Sequence, residues 1–251
     1  MNTAWTWAEL VARAVHTDDD VIVLDKPPGL AVTGERHGPD VVSLAAEAGV
    51  ELHPAHRIDK VTSGLCVLAT NLTAHGPLTR QFAKRTVDKG YLAVVIGDRP
   101  PADSVIDLPV FTASSGRVRI AGDRDAISYD PATRVYSLPP DRVRPGRKVY
   151  PSQSRLRVLE VAGSGPALVE LNPLTGRRHQ LRVHLAWIGW PIVGDPLFAS
   201  TSRAGDSQRT HLHAHRLTIA LPGERRARRF EARPDAGFLT ALGHRFAVPE
   251  P

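Results

Sequence analysis

The chain has 251 residues, 42% of them hydrophobic and 23% charged, which excludes a disordered protein and leaves ample length for a buried core. Its single cysteine, Cys66, lies in an apolar run, so an intramolecular disulfide is impossible, and no apolar run approaches the ~20 residues of a membrane-spanning helix. The net charge of +6, carried by 27 arginines and five lysines against 26 acids, fits a polyanionic partner, although a GC-rich genome would also favour arginine over lysine.

Near the N-terminus no basic stretch leads into an apolar one, and Asp18-Asp19-Asp20 come early, so a soluble, cytoplasmic protein is expected. Residues 4–15 read as a short amphipathic helix with Trp5, Leu10 and Val11 on its apolar side. Val21-Ile22-Val23-Leu24 is a strand closed by the turn Lys26-Pro27-Pro28-Gly29. Residues 41–48 read as helix. A loop from His56 to Gly64 leads into the strand Leu65-Cys66-Val67-Leu68-Ala69, and Asn71 or Thr73 caps a helix carrying Leu78, Phe82 and Arg85. Residues 87–96 alternate as a strand, with Tyr91, Ala93 and Val95 on one face.

Between about 100 and 153 the sequence turns rich in Pro, Gly, Arg and Asp, with short strand candidates at 117–120 and 133–138. This reads as irregular hairpins or an insertion without a core of its own. Strands resume at 156–161 and 167–171, and a helix opens near Arg178 with Leu181, Leu185 and Ile188 on a buried face. Residues 212–221 form a last long strand. Strands mixed with a few helices, without regular βαβ alternation, predict an α+β fold around a mixed, mostly antiparallel sheet with flanking helices. Without repeats or a clear linker, a single catalytic domain over 20–251 is expected, preceded by a short helical extension over 1–19 and carrying an Arg-rich insertion near 113–150.

Three segments hold residues suited to chemistry. In His56-Arg57-Ile58-Asp59-Lys60 a carboxylate stands among cations at the mouth of a sheet, where positive charge favours its ionised form and fits it to act as base or nucleophile. A solvated surface ion pair is the plainer alternative. Tyr91 could be an ordinary core tyrosine or a ring that packs on a base and offers a hydroxyl for proton transfer. In Thr175-Gly176-Arg177-Arg178-His179-Gln180-Leu181-Arg182, Arg178 and Arg182 are four apart, on one helical face, with Arg177 at the helix start. Three arginines so close call for anions, a carboxylate or phosphates.

Together these segments resemble the signature motifs of RluA-type pseudouridine synthases. The resemblance rests on His56-Arg57-Ile58-Asp59 with Thr62-Ser63-Gly64, and on Lys89-Gly90-Tyr91 with Gly97. It extends through Thr175-Gly176-Arg177 with His179-Gln180-Leu181-Arg182-Val183-His184 to Gly189, Pro191, Ile192, Val193, Gly194 and Asp195. The Lys26-Pro27-Pro28-Gly29 turn is similar to the family's opening motif, and the match runs from about residue 20 to 220 in the family's order. It implies the pseudouridine synthase fold with a central active-site cleft, and an isomerase that turns a uridine of tRNA or rRNA into pseudouridine without metal or organic cofactor.

On this resemblance the catalytic aspartate is Asp59, the tyrosine against the target ring is Tyr91, and the arginine that pairs with the aspartate is Arg182. Arg57 helps displace the base, and Arg57, Thr62 and Arg177 are the expected RNA contacts. The partner is RNA, with no membrane and a monomeric state expected. Only about 20 residues precede Val21, so no N-terminal S4-type module is expected. Gly90 stands where relatives often carry a larger residue, and Phe198 where many carry tyrosine.

Two other readings remain open. One is a metal-dependent hydrolase, with His53, His56 and Asp59, or His211, His213 and His215 on one strand face, as ligands. More simply, the second set is a half-exposed strand. The other is a non-catalytic RNA-binding relative, against which the intact Asp59, Tyr91 and Arg182 argue.

Overall fold

The computed structural model describes residues 5–98, 101–146, 148–162, 165–199 and 209–242. They fall into two compact units, Met1–Gly90 with Leu212–Asp235, and Tyr91–His211 with Ala236–Pro251.

In chain order the first unit holds α1 (Trp7–Val11), β1 (Ala14–Thr17), β2 (Val21–Lys26), α2 (Val41–Glu47), β3 (His53–Pro54), β4 (Ser63–Ala69) and α3 (Leu72–Lys84). The chain passes into the second unit within β5 (Asp88–Val95). There it forms β6 (Ser104–Asp107), β7 (Val110–Thr112), β8 (Val118–Ile120), β9 (Ser128–Asp130), β10 (Val135–Ser137), β11 (Gln153–Val161), β12 (Ala167–Pro173) and α4 (Gln180–Trp187). It returns to the first unit for β13 (Leu212–Ile219) and β14 (Arg228–Glu231), and ends in the second with α5 (Ala236–Leu239).

In the first unit β2 pairs antiparallel with β1 and with β4, and β14 pairs antiparallel with β13. β4 runs parallel to β13, with Ser63 opposite His213 and Gly64 opposite Ala214. Every residue of β4 is buried, which is why its sequence is an uninterrupted apolar run rather than an alternating one. Gly64 is required at that junction. Its φ is 103°, and a Cβ there would stand 2.3 Å from the Ala214 carbonyl oxygen. α3 is capped by Asn71, whose Oδ1 accepts from the Ala74 N–H at 2.9 Å while its amide donates to Asp20 at 2.7 Å.

In the second unit β12 pairs antiparallel with β5 and with β11, β11 with β6, and β10 with β9, while β6 and β10 run parallel. The sheet is therefore mixed and mostly antiparallel, as expected, and the fold is α+β. Leu92, Val94, Leu168, Val193 and Phe238 form a core cluster. A Cβ on Gly97 would meet the Trp190 ring at 2.6 Å and the Gly189 carbonyl at 2.7 Å, so only glycine lets the end of β5 lie against that turn.

Several local expectations change. The helix expected over 4–15 is a single turn and a half at Trp7–Val11, residue 4 lies outside the described residues, and Ala14–Thr17 is a strand on the edge of β2. Thr6 sets the start of the helix at Trp7 by forming a capping box with Glu9, and beyond the C-cap Ala12 the residues Val15, His16 and Thr17 favour extended backbone. The helix expected near Arg178 begins at Gln180, because His179 adopts the left-handed conformation at its N-cap. Arg178 is thus in a loop and does not share a helical face with Arg182. The region 101–150 is strand-rich and buries Val110, Phe111, Val118, Ile120 and Leu138. Its β7 and β8 pair as a separate two-stranded hairpin, and β6, β10 and β9 extend the order beyond β11.

Candidate active site

In the first unit the loop that carries Asp59 is fixed from beneath by a buried lysine. The Lys26 ammonium donates to the Pro27 and Leu30 carbonyls, each at 2.7 Å, and to the Lys60 carbonyl at 3.4 Å. The Gly29 N–H adds a second tie to the same Lys60 carbonyl at 2.8 Å, and Thr62 N–H closes a turn onto the Asp59 carbonyl at 3.0 Å. The Lys26-Pro27-Pro28-Gly29 turn and the His56–Gly64 loop are therefore one construction. Full burial pulls the Lys26 pKa down to about 7, against the pull of Cys66, Asp59 and Asp25, which favour the ammonium.

Asp59 itself is half-buried and Arg57 is exposed on the same loop. His56 stacks on Phe82 at a centroid distance of 4.2 Å, and its Nε2 accepts from the Val67 N–H at 3.1 Å. Burial, with a contribution from Lys89, lowers its pKa to about 3, so the ring is a neutral acceptor that anchors the loop to β4. Thr62 on the same loop is only 2% exposed.

In the second unit Tyr91 lies opposite Leu171 in the β5–β12 register and is half-buried. Arg182, on α4, is 3% exposed and is gripped at both ends of its fork by Asp195, with Nε to Oδ2 at 2.7 Å and Nη2 to Oδ1 at 2.8 Å. The same Asp195 Oδ1 accepts from the N–H groups of Leu197 (2.9 Å) and Phe198 (3.1 Å), and the Phe198 ring lies 5.3 Å from the guanidinium carbon. A planar cation held this way has one orientation.

The remaining residues of that motif form a hydrogen-bonded network of their own. Gln180 accepts from the Thr175 hydroxyl at 2.7 Å and the Arg177 N–H at 3.0 Å, and donates to the Gln153 carbonyl and the Ser154 hydroxyl, each at 2.9 Å. Buried His184 lies 3.0 Å from the Leu108 carbonyl through Nε2 and 3.0 Å from the Ser154 hydroxyl through Nδ1. Burial lowers its pKa to about 4, so it is neutral in this network. Arg177, half-buried, donates to the Pro151 carbonyl at 3.3 Å and stands 5.1 Å over the Tyr150 ring. The parts played by Ser154 and Asp195 are not evident from sequence. An Asp following a glycine in an apolar turn, thirteen residues beyond Arg182, is the one signal that points to the pair.

Asp59, Arg57 and Thr62 thus belong to one unit and Tyr91, Arg177 and Arg182 to the other. The histidines offered as metal ligands are engaged otherwise. His211 Nδ1 lies 2.8 Å from the Phe238 carbonyl, His213 contacts the Ser63 hydroxyl (2.9 Å) and the Ala232 carbonyl (3.0 Å), and His215 contacts Ala232 (2.8 Å). His211 and His213 are buried, not half-exposed. Among the described residues no group of three or more His, Cys, Asp or Glu could hold a metal ion.

The motif residues thus lie on an aspartate loop leading into a wholly buried strand, on β5 and on a helix whose arginine is locked by a buried carboxylate. A family model described as RNA pseudouridylate synthase matches residues 20–187, and the chain belongs to that family: it is an isomerase acting on RNA. Within the family it is of the RluA type, being 33% identical over 224 residues to the dual-specificity RNA pseudouridine synthase RluA of Escherichia coli strain K12, over 88% of this chain and 92% of that one. The mitochondrial pseudouridylate synthase RPUSD4 of Mus musculus is 31% identical over 86% of this chain and 64% of its own length. Among solved structures, human RNA pseudouridylate synthase domain containing 4 superposes with a TM-score of 0.74 at 27% identity, over 97% of both chains. Human RNA pseudouridylate synthase domain containing 1 gives 0.67 at 28%, over 88% of this chain and 82% of that one. No helix among the described residues is long and apolar enough to cross a membrane.

Proposed function

We propose that this protein isomerises a specific uridine of tRNA or rRNA to pseudouridine, with Asp59 as the carboxylate that acts on the sugar, Tyr91 as the ring and proton-handling hydroxyl, and Arg182 as the cation that serves the aspartate. Arg57, exposed on the Asp59 loop, displaces the target base, since chemistry at the glycosidic bond requires the nucleotide to leave its stack. Arg177 contacts the RNA backbone. The reaction is written without cofactor, in a soluble, cytoplasmic and monomeric enzyme.

The observation that carries this reading is the rigid mounting of the Asp59 loop on the buried Lys26 ammonium, because a carboxylate that must meet one sugar atom needs a fixed backbone. The name of the Escherichia coli relative, dual-specificity, argues for testing tRNA and rRNA together. Pseudouridine mapping of both RNA classes in cells with and without the gene names the site. Asp59→Ala restored to the deletion strain is expected to recover none of it, while purified Asp59→Ala keeps RNA affinity within a few-fold, since affinity comes mainly from phosphate contacts. Recovery of the modification by that variant removes Asp59 from the chemistry.

A further inference from the structure

The second unit carries a groove for which neither the proposed trio nor the fold has a use. It has a volume of about 290 Å³ and lies between the β7–β8 hairpin and the loop that precedes α4, with Phe111, Val118, Tyr150, Arg177 and Arg178 on its walls. That volume, at the lower end of the range for ligand pockets (about 300–1,000 Å³), suits a single nucleotide-sized group.

Its chemistry is one-sided. The described residues of the three stretches that supply its walls, 108–122, 143–146 with 148–151, and 174–179, include six arginines and lysines and no acid. Of these, Arg144 is already paired with Asp123. Arg178 lines the groove and spends one nitrogen on the Gly116 carbonyl at the hairpin tip. Arg177 and Lys148 stand over the Tyr150 ring at 5.1 and 5.5 Å. Such contacts hold the cations beside an aromatic face while their remaining N–H groups stay available to an anion.

The floor is equally specific. Phe111 and Val118 are 4% and 3% exposed, whereas Tyr150 is half-buried and Arg178 exposed. Tyr150 is fixed by paired backbone hydrogen bonds with Val110, at 2.8 and 2.9 Å, so its ring is presented from a strand bridge and not from a loose loop. An aromatic ring, a guanidinium plane and flanking cations on a rigid frame are what a single-stranded nucleotide requires: a surface for the base and donors for its phosphates.

We infer that this groove binds one nucleotide of a single-stranded segment of the substrate RNA, its base against Tyr150 and Arg177 and its phosphates on Arg177 and Arg178. The inference deepens the proposed function and rests on its RNA substrate. It gives the 101–150 region a role in choosing RNA segments that can be splayed open over those locked in a duplex.

The test uses the full chain and two labelled RNA probes, a hairpin with a seven-nucleotide uridine-containing loop and the same stem as a blunt duplex. Tyr150→Ala is expected to weaken hairpin binding about 5- to 100-fold with little change in the slope of affinity against salt, and Tyr150→Phe to restore it. Arg177→Gln with Arg178→Gln is expected to lower that salt slope by about 1 to 2, because each neutralised phosphate contributes ~0.7–0.9 to it. Thermal unfolding of each variant verifies that the fold persists. Hairpin affinity of Tyr150→Ala within two-fold of wild type, an equal loss on hairpin and duplex, or an unchanged salt slope in the arginine double variant each overturns the inference. Pseudouridine formation by the wild type, measured in parallel on total tRNA and rRNA, keeps the two questions apart: its absence sinks the reaction while the binding result still decides the groove.

Discussion

The loop of Asp59 and the segment of Arg182 hold their working side chains by opposite means. In the first, a buried ammonium is caged by backbone carbonyls, and the functional residue rides on the backbone so fixed. In the second, the functional residue is itself the buried charge, locked to a carboxylate that is 0% exposed at its side chain, and its helix neighbours Gln180 and His184 join Thr175 and Ser154 in a hydrogen-bonded network of their own. A carbonyl cage tolerates change in any side chain except the lysine. A side-chain network fails wherever one member is removed, since each partner left behind is a desolvated polar group.

The contrast can be broken most forcefully at Asp195. Asp195→Ala removes the bidentate counter-charge of a buried guanidinium and should cost roughly 3–5 kcal/mol in denaturant unfolding, with Asp195→Asn losing less. A loss below about 1 kcal/mol in Asp195→Ala would mean the pair is dispensable. Lys26→Met comes next. It abandons two short hydrogen bonds to carbonyls and a longer one, so a loss of about 1–3 kcal/mol is expected, together with a larger fall in turnover than in RNA affinity. Equal falls in both would place the cage outside catalysis.

Acid should weaken the second network, whereas the Lys26 ammonium of the first is lost only as pH rises through about 7. His184 titrates at about 4 when folded and near 6.5 when unfolded, so below pH 6.5 the unfolded chain binds the extra proton. Stability then falls as pH drops from about 6.5 to 4, by on the order of 3 kcal/mol from this group. Replacing His184 with Gln should flatten that part of the stability–pH curve, though His56, lowered to about 3, contributes a similar slope that remains. The smallest effect is expected at Lys60. Its side chain is 53% exposed and pairs with Glu35, so Lys60→Ala should shift stability by no more than about 0.5 kcal/mol. The carbonyl of Lys60, not its ammonium, is what the loop uses, and a large loss in Lys60→Ala would reverse that assignment.

Much of this was legible in the chain. The apolar run after Gly64, the Asn71 cap and the motif residues around Asp59, Tyr91 and Arg182 carry local signals, and each lies where those signals put it. What was not legible was contextual. Nothing in Arg177-Arg178-His179 announces that His179 turns left-handed and delays the helix by two residues, because that conformation is imposed by the Gln180 network with Thr175 and Gln153. Short polar strands such as Ser128–Asp130 lack apolar alternation because all three residues are exposed at a sheet edge. The division into two units was also invisible, since it depends on β13 returning to β4, a pairing that periodicity does not encode. Of the proposed site, residue types and order could be read from sequence, including Lys26 and Asp195 as motif residues; the partners of those two, and Ser154 altogether, could not, because burial and partners are properties of the fold.

The close approach at Gly64 also has a meaning in time. The Ser63 hydroxyl and its partner His213 are 150 residues apart in sequence. At a synthesis rate of about 5–20 residues per second, β4 waits on the order of 10–30 s on the ribosome for its parallel neighbour. Through that interval the strand that carries the Asp59 loop has one edge unpaired by β13, and its apolar run is exposed to chance association. The junction that only glycine permits is therefore also one of the last stitches of the first unit, followed by the pairing of β14 with β13.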